Sequence, residues 1–240
     1  MSRVSAPVPV GARSRHRAHL VAAMLPERVD GYHEPWFDDG AALLAMLAAH
    51  PSVSAVVASR DEDALAPWEA VRLDAAGFVR ELRFHADRHR PPYLAAVRAE
   101  AERSDEQDLV RRGARAAYLR AAATGDSVSV DDAGVRGLGR LLRDSDVTFA
   151  TSAPFELLPA VRDDDVVLID PAVGTDAVDD RALRSLVNAL TARGAAVVAP
   201  PPRGRDGWPG LAVLDGGDPA EPVWGNGALR RLRKDSARNL

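Results

Sequence analysis

The run Val166-Val167-Leu168-Ile169 is apolar at every position, with three aspartates before it and Asp170-Pro171 after it. A strand with one wet face alternates apolar and polar residues; this one has no polar face and reads as a buried central strand. Similar short runs recur at residues 53–59 (VSAVVAS), 146–151 (DVTFAT) and 195–200 (AAVVAP). Helical patterns lie between them. Residues 41–50 are rich in helix formers, and Ala182, Leu183, Leu186, Val187 and Leu190 share one helical face, with Gly194 placed to end it. A strand–turn–helix–strand order implies crossover connections and therefore a parallel sheet. The predicted class is α/β.

A chain of 240 residues, 46% hydrophobic and 28% charged, suits one large α/β domain or a domain carrying an insertion. The absence of cysteine excludes disulfides, thiolate nucleophiles and cysteine-based metal sites. No apolar run approaches about 20 residues, and the basic N-terminus is not followed by an apolar stretch, so a cytoplasmic location is expected, with no membrane partner. The net charge of −4 argues against a uniformly DNA-coating protein. Basic residues nevertheless gather at the ends: Arg3, Arg13, Arg15 and Arg17 at the front, Arg230, Arg231, Arg233, Lys234 and Arg238 at the back. They read as solvated tails that could also meet phosphates.

Residues 61–143 differ in character, being charged, rich in Ala and Arg, and helical in pattern. Pro91-Pro92 is expected to break one helix and Gly125 to end another, and SVSVDDAG to form a small hairpin. GLAVLD (210–215) is a candidate edge strand. The organisation expected is a core of residues 1–60 and 144–215, a helical insert of residues 61–143, and a basic C-terminal tail of residues 216–240.

In open α/β sheets, ligands bind beyond the carboxyl ends of the strands. Two such ends stand out, HEPWFDDGA (33–41) and DPAVG (170–174). Their order, with a helical insert between them, resembles the Dam-like class of DNA adenine-N6 methyltransferases over roughly residues 11–200. The resemblance implies a Rossmann-like fold dependent on S-adenosylmethionine. In that family the first loop reads EPFxGGGA and cradles the cofactor, while a DPPY loop holds the flipped adenine. It assigns Glu34, Pro35, Phe37, Gly40 and Ser59 to the cofactor pocket, and Asp170 and Pro171 to catalysis. It also suggests contacts to double-stranded DNA from Arg13, which stands near a family lysine, from Arg15 and Arg17, and from Arg120 in the stretch that runs toward the hairpin.

The departures fall at the working positions. Asp38 and Asp39 replace two glycines of the cofactor loop and would face the cofactor's own carboxylate. Ser59 stands where the family has an acid for the ribose, with Asp61 two residues on. Ala153 and Pro154 stand where an acid would meet the cofactor adenine. Ala172 and Val173 replace the residues that close and stack on the extruded base, a contact worth about 1–3 kcal/mol. These losses point to a Dam-like homologue that has lost methyl transfer, binds no cofactor, and is kept for DNA binding or as a partner or scaffold subunit. The alternatives are an active DNA adenine-N6 methyltransferase with variant motifs, a protein-interaction module, and an unrelated α/β protein.

Other candidates are weaker. HADRH (85–89) spaces two histidines for a metal on a helix face, but no third ligand is evident and three arginines surround it, so it reads as a solvated face. Asp163, Asp164 and Asp165 read as a solvated turn. No metal site is expected.

Overall fold

The computed structural model describes residues 4–103, 106–124, 128–171, 179–202 and 206–238. Its chain forms two compact units, one of residues 11–60 and 145–240, the other of residues 1–10 and 61–144.

The first unit is built on a seven-stranded sheet. Its strands are β1 (Gly31–Glu34), β2 (Ser54–Ser59), β3 (Val147–Thr151), β4 (Val166–Leu168), β5 (Ala196–Ala199), β6 (Ala212–Val213) and β7 (Trp224–Gly225). They lie in the order β3-β2-β1-β4-β5-β7-β6. The first five are parallel, and β7 runs antiparallel to both β5 and β6. The α-helices described in this unit are α1 (Ala12–Ala23), α2 (Ala41–Ala49), α7 (Asp180–Ala192) and α8 (Gly227–Arg238), with a 3-10 helix at Pro154–Ala160. This is a Rossmann-like, doubly wound arrangement, and the mixed α/β class is as expected. β1 and β4 are neighbours while β1 leads on to β2, so the strand order reverses direction between β1 and β4. A crevice opens at such a switch point, beyond the carboxyl ends of the strands.

The apolar run is buried as its composition demands: Val166, Val167 and Ile169 are fully covered. The register sets Val166 opposite Tyr32 and Ala196, and Ile169 extends the pairing by donating its N–H to Val198 O at 2.9 Å. Leu183, Leu186, Val187 and Leu190 of α7 pack on Val167, Ile169, Val197 and Trp208. Each fully buried Leu or Val contributes roughly 1.5–3 kcal/mol.

Two expectations fail in this unit. Residues 216–238 do not form a tail; they carry β7 and α8. The cause is Asn226, 5% exposed, whose Oδ1 accepts from Val197 N and Leu229 N, both at 3.1 Å. Its Nδ2 donates to Ala195 O at 2.8 Å and to Thr191 Oγ1 at 3.0 Å. One amide thus caps α8 and completes the exposed side of β5. The aspartate run is not wholly solvated either. Asp165 is 8% exposed, and its Oδ2 accepts from Arg162 N at 2.8 Å and lies 2.9 Å from Nε2 of the buried His33.

The second unit is helical: α3 (Glu62–Ala86), α4 (Pro91–Ala101), α5 (Leu109–Ala123) and α6 (Asp132–Asp144). Asp61 and Asp108 cap α3 and α5 with their carboxylates. Pro91-Pro92 opens α4, because the first turn of a helix needs no N–H from those positions. Residues 128–131 form no strand and residues 132–134 open α6, so the expected hairpin is not formed there; Ser127 lies outside the described residues. The residues at 4–10 cluster with these helices and not with the sheet. Helices α3 and α5 cross very closely: a Cβ on Gly113 would stand 2.6 Å from both Ala66 O and Ala70 Cβ. Among the described residues no helix is long and apolar enough to cross a membrane.

Candidate functional site

The carboxyl end of β1 delivers Glu34. Tyr32 and Glu34, two apart in a strand, share one face, and His33 points to the other. The Tyr32 hydroxyl donates to Glu34 Oε2 at 3.0 Å, and both side chains are buried. Burial is the main cause that pushes the Glu34 carboxyl up to about 8; Asp39, Asp170 and Asp38 add to it, and the Tyr32 hydrogen bond opposes it. At neutral pH this acid is therefore mainly protonated.

Beyond Glu34 the chain turns through Pro35 and Trp36. Phe37 goes into the core, 3% exposed, edge-on to Phe149 at 6.1 Å, with its N–H donated to Ala58 O at 2.8 Å. Asp39 Oδ1 accepts from Ala41 N at 3.0 Å, tying down an N–H in the first turn of α2. Gly40 precedes that helix at φ 73, a left-handed conformation that favours glycine. One loop glycine thus survives for a backbone reason, and Asp39 has a capping role.

At the end of β4 stands Asp170, and it has a partner. Arg17 of α1 reaches across, and its Nη2 donates to Asp170 Oδ1 at 2.6 Å. Nη1 donates to the Pro201 carbonyl beyond β5. The arginine is 7% exposed, and its Nε is buried with no hydrogen-bond partner. Glu34, Trp36, Asp38, Asp39, Arg17 and Asp170 line a cavity of about 50 Å3. At roughly 10–15 Å3 for each water, that is room for a few waters.

The structure therefore brings Glu34 and Asp170 together at the switch point, with Asp38, Asp39 and Arg17. It does not bring the other expected residues into the cavity. Phe37 is core. Ser59 ends β2, where its carbonyl accepts from Ser152 N at 3.1 Å. Asp61 is engaged as the cap of α3 through Asp63 N at 2.9 Å. The Ala153 N–H is met by Glu156 Oε2 at 2.7 Å, so the acid nearest that position serves as a local cap. Pro171 follows Asp170, and Ala172 and Val173 lie outside the described residues.

Of the arginines expected to meet DNA, Arg13 and Arg15 are exposed on α1, and Arg120 is half-buried on α5 of the helical unit. Arg17 is not on the surface, since Asp170 and Pro201 hold its guanidinium inside. Sequence reasoning missed this pairing. The signal available was the position of Arg17 on the face of α1 that also carries Ala18 and Val21, the buried face of that helix.

No group of three or more metal-ligating side chains occurs among the described residues. The HADRH histidines join an aromatic cluster instead: His85 Nδ1 is hydrogen-bonded to the Tyr93 hydroxyl at 2.8 Å and His89 Nδ1 to the Tyr118 hydroxyl at 3.1 Å. Burial among the rings lowers the His85 pKa.

No protein family and no curated protein matches this chain. Among solved structures it is similar to a methyltransferase from Geobacter sulfurreducens, with 13% identity over 91% of this chain and 79% of that one, TM-score 0.38. It is also similar to the mitomycin 7-O-methyltransferase, with 14% identity over 90% of this chain and a TM-score of 0.35. The chain spans 54% of that second protein. The strand order carries the fold assignment.

Proposed function

We propose that this protein is a methyltransferase-fold chain of Dam-like ancestry that has lost methyl transfer and acts by binding, either on DNA or as a partner to another subunit. The observation that carries the reading is the Arg17–Asp170 ion pair across the switch point. The acid that would hold a substrate amine is satisfied from within the chain. Around it, the residues fit S-adenosylmethionine poorly. The cavity holds about 50 Å3, against about 300–1,000 Å3 for pockets that take cofactor-sized molecules. Asp38 and Asp39 would set two carboxylates beside the cofactor's own, and Glu34 stays mainly protonated because burial, with the nearby carboxylates adding to it, disfavours its charged form. Exposed Arg13 and Arg15 are the residues of the sheet unit through which phosphates would be met.

Isothermal titration of the full chain with S-adenosylmethionine tests this directly. No binding is expected, and micromolar affinity would return the chain to the active adenine methyltransferases. A mobility shift on duplex DNA across a salt series separates the two binding roles. A complex that weakens steeply with salt assigns the DNA role, because each phosphate contact releases counterions. No shift at low salt assigns the partner role.

A further inference from the structure

One space in the helical unit is lined in part by residues 128–131 of the SVSVDDAG segment. A cavity of about 430 Å3 lies between Leu82 of α3, Ala117 and Ala121 of α5, Val135 of α6, and the segment of residues 6–9. We propose that this cavity is a binding site for a small uncharged molecule with an apolar body and one polar group.

The walls argue for that chemistry. Leu82, Ala117, Ala121 and Val135 are 5%, 1%, 8% and 3% exposed. Ala117 and Ala121 stand one turn apart on α5, so two methyl groups occupy the face where larger side chains would fill the space. The roof is Ala6-Pro7-Val8-Pro9, and its prolines carry no N–H. The helical walls use their backbone groups internally. The one ionisable lining residue is Asp131, whose carboxylate is committed: Oδ2 accepts from Ser5 Oγ at 2.6 Å and Oδ1 from Gly134 N at 3.2 Å. Ser5 N also donates to Gly134 O at 3.1 Å, so the same contacts pin the roof to the start of α6. A charged ligand would find no counter-charge here, whereas an apolar body meets the Leu, Val and Ala walls and a polar group meets Ser129 and the backbone of residues 128–131.

Size and burial select among apolar occupants. A dry apolar cavity of about 150 Å3 holds one benzene, so this volume accommodates roughly two or three fused or linked rings, or an alkyl chain of similar bulk. A protein partner is disfavoured, because Val8, Leu82, Ala117 and Val135 are all buried and present no face to dock on. The Ser129 hydroxyl in the lining leaves room for one hydrogen bond to orient the ligand.

The test uses the full chain and the uncharged fluorophore N-phenyl-1-naphthylamine. A saturable rise in fluorescence at one equivalent per chain is expected. Ala121→Leu, which fills the cavity from α5, should weaken binding at least tenfold with the helical circular dichroism unchanged. Val128→Phe fills it from outside any helix, so it decides the matter if the α5 variant disturbs helix packing. No saturable signal with the wild-type chain, or wild-type affinity in a folded filling variant, would overturn the proposal.

Discussion

The sheet unit and the helical unit each enclose a cavity, and the two differ in size and in the charge of their lining side chains. At the switch point of the sheet the space is about 50 Å3 and lined by Glu34, Asp38, Asp39, Asp170 and Arg17. Among the helices it is about 430 Å3 and walled by Leu, Val, Ala and Pro. The difference follows from where backbone hydrogen bonding stops. Strands end with unpaired groups, so polar side chains collect there and then satisfy one another, which closes the space. Helices satisfy their own backbone groups, so the polar part of the gap between them comes from the non-helical residues 128–131.

The units also differ in how their neighbours are held. The helical unit depends on close approach at Gly113, and the sheet unit on a buried polar pin at Asn226. Gly113→Leu should therefore have the largest effect, about 3 kcal/mol or more, because even a Cβ would meet Ala66 O at 2.6 Å. Chemical denaturation should show the loss, and hydrogen exchange should confine it to residues 61–144. Loss spread equally over the sheet strands would erase the contrast.

Asn226→Ala should cost about 2–3 kcal/mol by stripping partners from Val197 N, Leu229 N and Ala195 O. Faster exchange along β5 and α8 is the expected signature. A stability equal to wild type would mean that β7 alone holds the C-terminal segment.

The smallest effect is a pH dependence carried by Glu34. Its folded value of about 8 lies above the ordinary carboxylate value, so the folded state binds the proton more tightly than the unfolded chain. The stability this contributes is fully present below about pH 4.5 and is lost as pH rises toward 8. Between pH 6 and 8 the loss amounts to roughly 2 kcal/mol. Denaturant midpoints measured across that range should fall with pH in the wild type. Glu34→Gln cannot ionise, and its profile should be flatter. An unchanged slope would show that Glu34 is not the group that titrates.

Much of the architecture is legible in the sequence, for physical reasons tied to particular residues. Val166–Ile169 has no polar face, so it had to be a central strand. The face made by Leu183, Leu186, Val187 and Leu190 could only bury against a sheet. Pro91-Pro92 does mark the break between α3 and α4, and it also opens α4, since proline both stops a helix and suits the first turn of the next one. The C-terminal segment reads as a tail because five basic residues in α8 mask one buried amide, Asn226. At the candidate site, the positions of Glu34 and Asp170 were legible from the ends of apolar runs, and the pairing of Asp170 was not.

The sequence by itself determined the α/β class, the parallel core and the helical segment of residues 61–143, because those follow from local periodicity and the need to bury unbroken apolar runs. Only the tertiary structure decided what the polar residues do. Arg17, 153 positions before Asp170, reads as one more basic residue of a solvated N-terminus until α1 lies over the strand ends. Asp165 reads as part of a wet turn until His33 is beside it. A side chain's charge is visible in the chain, but its partner is set by folding, and the partner decides whether that charge faces water, a ligand or another part of the same molecule.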